Sequence, residues 1–486
     1  MISFFISIGL LIAGYFIYGK IAERIFGIDP NRPTPALANP DGVDYIPLPW
    51  WRVFLIQFLN IAGLGPIFGA IMGIMFGESA FLWIVFGTIF AGGVHDYLSG
   101  MMSIRNNGAS LPELVGNELG NGIKQFMRAF SLALMILVGA VFVSGPAQLL
   151  ANLTPHAINM SGWIVIVFTY YILATLLPID KIIAKIYPFF GFVLLFMAVG
   201  IFLALILNKA PIPEFTEGFA NLHPNKLPIF PIMFVSIACG AISGFHATQS
   251  PLMARCIQNE KLGRRIFYGS MVAEGIVALI WAAAASSFFG SIQGLQEYLG
   301  TLPATANKPA VVVDRICRDW LGNIGGVIAL LGVIAAPLTS GDTALRSARL
   351  IVADFIHLEQ KSWKKRLIIS IPIFILTFIV LQINFDALWR YFAWCNQTLA
   401  VFTLWSITVY LAKRHKGYWI SLIPAVFMTC VSVSYICIAP EGFQLPQHLS
   451  YLISAIVCVV IIFLFYRFIY LNKEKLLAEN QLFNKK

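Results

Sequence analysis

VFLIQFLNIAGLGPIFGAIMGIMF, residues 53 to 76, is long and apolar enough to cross a membrane, but Gly63, Gly65 and Pro66 interrupt it near its middle. A helix in lipid must satisfy its own backbone hydrogen-bonding groups. Because proline removes an N–H donor, such a break is tolerable only where the freed groups face protein or a water-filled cavity. The stretch therefore predicts a broken helix at a binding site.

A second interrupted stretch, IFPIMFVSIACGAISGFHATQSP, spans residues 229 to 251 and carries Gly240, Ser243 and Gly244 near its middle. Two broken hydrophobic segments in corresponding positions of two halves indicate a transporter built from internal repeats.

The composition is that of a membrane protein. Hydrophobic residues make up 58% of the 486 residues, charged residues make up 12%, and the mean hydropathy is +0.80, whereas soluble domains average about 25% charged residues. The net charge of +10 does not indicate nucleic-acid binding, because the cations lie in short loops and form no basic stripe. The expected partners are therefore the lipid bilayer and a small-molecule substrate. No enzyme is expected, since the HExxH and GxSxG motifs are absent.

A window of about 20 residues predicts thirteen membrane spans, at residues 2–19, 53–76, 80–104, 125–150, 160–177, 185–207, 229–251, 265–289, 322–345, 366–384, 388–411, 418–437 and 447–470. The loops on one side of these spans, with the C-terminal tail, hold 25 of the 33 Lys and Arg residues, and the other side holds six. We call these sides the cation-rich and cation-poor faces. By the positive-inside rule, the N-terminus is outside and the C-terminus is cytoplasmic.

The two broken segments enter the membrane from opposite faces, with four unbroken spans between them. Residues 50–207 and 229–411 therefore form two five-helix repeats of opposite orientation within a transporter core, residues 50–411. Residues 1–49 add an N-terminal helix and loop, and residues 412–486 add two helices and a cytoplasmic tail. We expect an all-α polytopic membrane protein with a 5+5 inverted repeat. This scheme resembles the LeuT-like architecture, in which the first helix of each half is broken near the midplane.

Six separated strings resemble the carbon starvation (CstA) family of transporters. They are IAGLGPIFGAIMG (61–73), GGVHDYLSGMMSIRNNGASLPELVGNELG (92–120), IACGAISGFHA (237–247), MVAEGIVALI (271–280), LTSGDTALRSARLIVADF (338–355) and FAWCNQTLAVFTLW (392–405). The resemblance runs in the same order from about residue 50 to residue 430. It implies a bacterial inner-membrane secondary transporter that takes up pyruvate or peptides when carbon is scarce.

The helix breaks are the candidate substrate site. A half-helix N-terminus carries free N–H donors and roughly half a positive charge, which suits a carboxylate. The candidate substrate-binding residues are Gly63, Gly65, Pro66, Gly240, Ser243, Gly244, His246 and Gln249. The alternative is that the glycines serve close helix packing.

A coupling-ion site is expected beside the first break. In the LeuT-like fold, paired hydroxyls of the eighth core helix complete a sodium site with carbonyls of the first broken helix, and Thr339 and Ser340 match that position. Hydroxyl and carbonyl oxygens suit a hard cation, so Na⁺ is expected at Thr339 and Ser340, with Ala62 and Ala336 nearby. The alternative is that both hydroxyls bond to their own helix. Asp342 and Arg346, four residues apart, are expected to form a structural ion pair.

A proton is the other candidate coupling ion. Glu274 lies well inside its predicted span, and an ionisable group at that depth costs several kcal/mol unless it pairs or protonates. It is a candidate proton carrier or a neutral side chain that hydrogen-bonds to a neighbouring helix. His95 and Asp96 are a candidate relay or an interhelical hydrogen bond.

The sequence thus predicts an ion-coupled symporter for a small carboxylate or peptide, with Na⁺ favoured over H⁺ and with no other cofactor. A channel or a nutrient-sensing receptor on the same fold is the alternative. The sequence does not determine the oligomeric state.

The cation distribution generates a prediction about orientation. Thiols introduced by Lys261→Cys and Lys413→Cys should react with a membrane-impermeant maleimide only from the cytoplasm, because both lie on the cation-rich face. The thiol introduced by Lys226→Cys should react from outside. The opposite labelling pattern would show that the orientation is the reverse of the predicted one.

Overall fold

The computed structural model describes residues 1–42, 44–154, 156–176, 183–303, 307–360, 362–383 and 385–471. Within these ranges the regular elements are helices, and no strand occurs. The predicted tail after residue 471 and the predicted loop cations Lys181 and Lys361 lie outside the described residues.

A helix or a broken helix covers each of the thirteen predicted spans, and we number them in chain order. They are α1 (Ile2–Phe26), α2a (Trp50–Ile61) with α2b (Gly65–Phe76), α3 (Ser79–Arg105), α4 (Asn121–Leu153), α5 (Met160–Leu176), α6 (Ile183–Leu207), α7a (229–240) with α7b (Gly244–Ala254), α8 (Glu260–Phe288), α9 (Lys308–Ile356), α10 (Trp363–Val380), α11 (Phe385–Lys413), α12 (Trp419–Ile438) and α13 (Gln447–Leu471). In the described part of the chain, nine helices are long and apolar enough to span a membrane, and the bent pair α2a–α2b makes ten. The number thirteen therefore stays a prediction.

Helix α9 is longer than the predicted span 322–345, because Gly322 joins two helical segments. Its φ of 67° and ψ of −174° are not helical, and glycine adopts a positive φ without steric cost. The first segment lies beside the end of α8, where the rings of Trp320 and Phe288 are 5.3 Å apart. The predicted span 322–345 therefore corresponds to the segment of α9 that follows this break.

The two broken helices run antiparallel, as the inverted repeat requires. Leu48, just before α2a, donates its N–H to the carbonyl of Cys256, just after α7b, at 3.0 Å. At the opposite face, the N–H of Leu222 before α7a lies 3.4 Å from the carbonyl of Phe76 at the end of α2b. Each broken helix therefore begins where the other ends, and the predicted fold class is confirmed.

The N-terminus is fixed at the cation-poor face by a loop carboxylate. The ammonium of Met1 pairs with Glu214, which also accepts the backbone N–H of Ser3 at 2.8 Å. Partial burial raises the pKa of Glu214, but the hydrogen bonds from Met1 and Ser3 outweigh it and lower the pKa to about 2. Helix α1 therefore begins on the same face as the loop between α6 and α7a.

The broken helices cross in direct contact through glycines of α2b. A Cβ at Gly65 would lie 2.1 Å from the Cβ of Cys239, and one at Gly69 would lie 2.9 Å from the carbonyl oxygen of Ile237. Gly73, one turn further, meets the side chain of Ile237 in the same way. Small residues four apart let backbones approach closely where no hydrophobic force drives helices together. The crossing therefore depends on glycine.

Gly69→Ala should weaken the crossing, because the added methyl group would collide with backbone oxygens of α7a, which cannot rotate away. We expect a loss of stability of about 1 to 3 kcal/mol, measured as a lower thermal midpoint of the purified protein. Gly9→Ala in α1 is the control, since in the described ranges no atom outside its own helix backbone lies within 4 Å of its added Cβ. Equal midpoints for the two variants would contradict the packing role.

Candidate functional site

The break in α7 lies between two residues that leave the helical conformation. Ala238 has a φ of 29°, and Ser243 is extended, with a φ of −143° and a ψ of 122°. The break in α2 follows Ile61, where Ala62 leaves the helical region with a ψ of 35°. Both breaks therefore fall where the sequence predicted them.

Two amides of α11 satisfy the backbone that the α7 break frees. The Oδ1 of Asn396 accepts the N–H of Phe245 at 2.7 Å and the hydroxyl of Ser243 at 3.0 Å. The Nε2 of Gln397 donates to the carbonyl of Ile242 at 3.0 Å. Asn396 thus caps the N-terminus of α7b from a neighbouring helix. In this conformation the position predicted for a substrate carboxylate is held by a protein amide.

The predicted glycines lie against other parts of the protein. A Cβ at Gly63 would lie 2.6 Å from the ring of Phe142, and one at Gly240 would lie 2.9 Å from the Cβ of Ala278. A Cβ at Gly244 would lie 2.4 Å from backbone atoms of α11. Close packing, the alternative reading of these glycines, therefore describes their contacts in this conformation, and their assignment to substrate stays a prediction.

Four ionisable side chains form a continuous buried chain next to the α7 break. We call His95, Asp96, His246 and Glu274 the relay cluster. Asp96 lies 2.7 Å from the Nδ1 of His95 and 2.8 Å from the Nδ1 of His246, and the Nε2 of His246 lies 3.4 Å from Glu274. All four are fully buried. The sequence named each residue but did not show that α3, α7b and α8 bring them together.

The relay cluster brings His246 next to Glu274 without a hydrogen bond between them in the described ranges. An ionised Asp96 has only acceptor atoms, so each imidazole presents an Nδ1–H to it. The Nε2 of His246 then faces a Glu274 oxygen across 3.4 Å. Because two acceptors repel each other, this contact is favourable when one of the two groups is protonated. The pair is therefore suited to hold one exchangeable proton.

Gln249 lies outside the relay cluster. Its Nε2 lies 2.8 Å from the hydroxyl of Thr248 and 3.4 Å from that of Ser347 on α9. The structure therefore places this predicted substrate residue between α7b and α9.

The predicted hydroxyl pair of α9 lies against the end of α2a. Ser340 donates to the carbonyl of Leu59 at 2.9 Å and lies 3.0 Å from the carbonyl of Ala336. Thr339 lies 2.7 Å from the same Ala336 oxygen and 3.4 Å from that of Leu59. Hydroxyl and carbonyl oxygens thus converge three residues before Ala62. They are oxygens of the kind that hard cations prefer.

Two amides on α2a were missed by the sequence reasoning. Gln57 and Asn60 are fully buried, and neither side-chain oxygen nor nitrogen has a hydrogen-bond partner in the described ranges. Buried polar groups are normally satisfied, so these amides are open to water or a ligand. The detectable signal was two amides three residues apart, just before a helix break.

The predicted charges of α9 find partners on other elements. Arg346 lies 3.6 Å and Arg349 lies 3.8 Å from Asp44, in the loop before α2a. Asp342, which the sequence paired with Arg346, accepts the hydroxyl of Tyr170 at 3.0 Å. The loop therefore bridges α2a and α9 at the cation-rich face.

Comparison with known proteins places the chain among transporters. It is 45% identical to an uncharacterised membrane protein of Haemophilus influenzae over 347 residues, 61% of this chain and 94% of that protein. It is 29% identical to the pyruvate/proton symporter BtsT of Escherichia coli over 68% of this chain and 56% of that protein. It is 26% identical to the peptide transporter CstA of Bacillus subtilis over 88% of both chains.

Solved structures share the fold at low sequence identity. A mutant of the Eremococcus coleocola manganese transporter matches 90% of this chain and 99% of its own with a TM-score of 0.56 and 14% identity. MhsT in complex with L-phenylalanine matches 85% of this chain and 98% of its own with a TM-score of 0.52 and 14% identity. Both are transporters of the LeuT-like fold, and the likeness establishes the fold alone.

The model of the family described as carbon starvation protein CstA matches residues 1–160, 146–316 and 293–435. These ranges contain both helix breaks, the relay cluster and the hydroxyl pair of α9. The chain is therefore a multi-pass membrane transporter that belongs to the CstA family.

Proposed function

We propose that this protein imports a small carboxylate such as pyruvate, or a short peptide, by proton symport across a bacterial inner membrane. Its N-terminus would be outside and its C-terminus cytoplasmic. The observation that carries the proposal is the buried contact between His246 and Glu274, linked through Asp96 to His95. The pyruvate/proton symporter of Escherichia coli among the relatives supports the choice of ion and substrate.

Electrostatics gives the reason that proton and anion move together. With neutral imidazoles, the ionised Asp96 and Glu274 place two negative charges in a fully buried cluster. A substrate carboxylate near the N-terminus of α7b would add a third negative charge. A buried charge without compensation costs several kcal/mol. One proton shared by His246 and Glu274 lowers this cost, so each species binds more tightly when the other is present.

The position of His246 connects this charge to the helix break. Ser243 is the N-cap of α7b, so His246 lies in the first turn of that half-helix. Protonation of His246 therefore changes the potential at the site where we propose that the carboxylate binds. Opening of that site requires displacement of the Asn396 side chain, which caps α7b in this conformation.

Sodium is a second candidate coupling ion, favoured by the convergence of Thr339 and Ser340 on the Leu59 carbonyl. A sodium ion would replace the hydroxyl hydrogen bonds with direct oxygen ligation. Uptake of labelled pyruvate and dialanine into proteoliposomes, with pH and sodium gradients imposed separately, tests both ions. Binding without flux would indicate a receptor, and conductance far above carrier rates would indicate a channel.

Glu274→Gln should abolish uphill uptake driven by a pH gradient, because glutamine cannot carry the proton. Exchange of substrate between equal pools should persist, since exchange requires no net proton movement. Glu297→Gln is the matched control, because Glu297 is an exposed carboxylate. Retention of uphill uptake by Glu274→Gln would exclude Glu274 as the carrier.

Thr339→Ala combined with Ser340→Ala separates the two ions. If the hydroxyls bind sodium, the sodium concentration for half-maximal uptake should rise about tenfold or more, with the pH dependence unchanged. If they only join α2a to α9, the double variant should lose thermal stability without any sodium effect. Uptake by the unmodified protein that is undiminished in sodium-free buffer would rule out sodium coupling directly.

A further inference from the structure

A cavity of about 400 Å³ lies on the cation-poor face, beside the outer halves of both broken helices. Its walls come from α2b, α7a, the start of α9, the start of α11 and the end of α12. The residues that matter here are Phe76, Ser236, Lys308, Trp389 and Arg390. Its volume is typical of small-molecule sites. It is separate from the relay cluster, none of whose residues lines it.

The charged groups of this cavity are cations. Lys308 and Arg390 line it, and no Asp or Glu is among its described lining residues. Arg390 is partly compensated by Glu441, 3.4 Å away, whereas Lys308 has no ion pair in the part of the chain that the structure describes. Lys308 also lies in the first turn of α9, where the helix dipole adds positive potential. The cavity therefore attracts anions.

The rest of the lining is mainly apolar and aromatic. Trp389 and Phe385 stack with their centroids 6.0 Å apart, and Phe76 packs against His223 at 4.5 Å. An occupant that satisfies both the charge and the walls has one carboxylate and a small apolar body. A cation is repelled by Lys308, and an uncharged ester forgoes the charge interaction.

An aromatic ladder connects this cavity to the helix breaks. Centroid distances are 5.5 Å from Trp389 to Phe392, 5.9 Å from Phe392 to Phe142, and 6.1 Å from Phe142 to Phe245. Phe142 packs on Gly63 in the α2 break, and Phe245 is the second residue of α7b. The ladder thus lies between the cavity and the helix breaks.

We propose that this cavity is an outer binding site for a small organic carboxylate, in which Lys308 supplies the main charge interaction and Trp389 contacts the apolar body. The substrate would occupy it before the aromatic ladder opens towards the midplane. This inference rests on the proposed function for the direction of transport. The inference does not depend on whether protons or sodium ions drive the transport.

The test is protection of a thiol placed in the cavity wall. Ala393→Cys adds a thiol to the lining, and the unmodified chain gives the background from its native cysteines. Pyruvate and dialanine, each carrying a carboxylate, should slow its reaction with an impermeant maleimide, and methyl pyruvate should not. Protection by either carboxylate supports the site and identifies the better occupant. Protection by neither, or equally by methyl pyruvate, overturns it.

Lys308→Gln in the Ala393→Cys background should raise the half-protecting concentration about tenfold, the loss expected for one charge-assisted interaction. Lys308→Arg should restore protection, since it keeps the charge. Lys209→Gln is the matched control, because Lys209 is an exposed cation outside this lining. Unchanged protection in Lys308→Gln would overturn the proposal.

Uptake measured in the same preparations separates the two proposals. Lys308-dependent protection without uptake would refute the proposed import and leave the outer site. If pyruvate or dialanine is imported but the half-protecting concentration is the same in Lys308→Gln, the outer site is refuted and the proposed import stands.

Discussion

The constraint on which this structure depends is the satisfaction of backbone hydrogen bonds at membrane depth. Both broken helices leave backbone N–H and C=O groups unpaired, and lipid cannot form hydrogen bonds with them. At the α7 break, Asn396 and Gln397 of α11 reach these groups directly. The same contacts hold the N-terminus of α7b closed to a ligand in this conformation. A conformational change that moves α11 relative to α7b would therefore exchange a protein partner for a substrate.

Buried charge is the second constraint. The relay cluster lies beside the capped break, where its residues come from α3, α7b and α8. Two carboxylates and two imidazoles share one chain of contacts, so the protonation of one member alters the others. The hydroxyl pair of α9 is separate from the relay cluster, because it contacts the end of α2a beside the α2 break. The protein thus has separate candidate ion positions at its two breaks.

The glycines of α2b show what the close crossing of two helices requires. Gly65, Gly69 and Gly73 allow α2b to cross α7a at a distance that side chains would prevent. This crossing brings the two breaks together. Close helix packing and a substrate site were alternative readings of the sequence. In the folded protein these glycines make close packing contacts, and their role in substrate binding stays a prediction.

The sequence by itself determined the class of fold. Apolar length, Gly and Pro interruptions and the distribution of cations suffice for this, because the bilayer imposes them locally on each span. Tertiary structure alone decided that His246 bridges Asp96 and Glu274, since these residues lie up to 178 positions apart on three helices. The same holds for Asn396, whose side chain caps α7b from α11. It also holds for Asp44, whose loop returns to Arg346. Local pattern cannot predict such partners, because they depend on how helices cross.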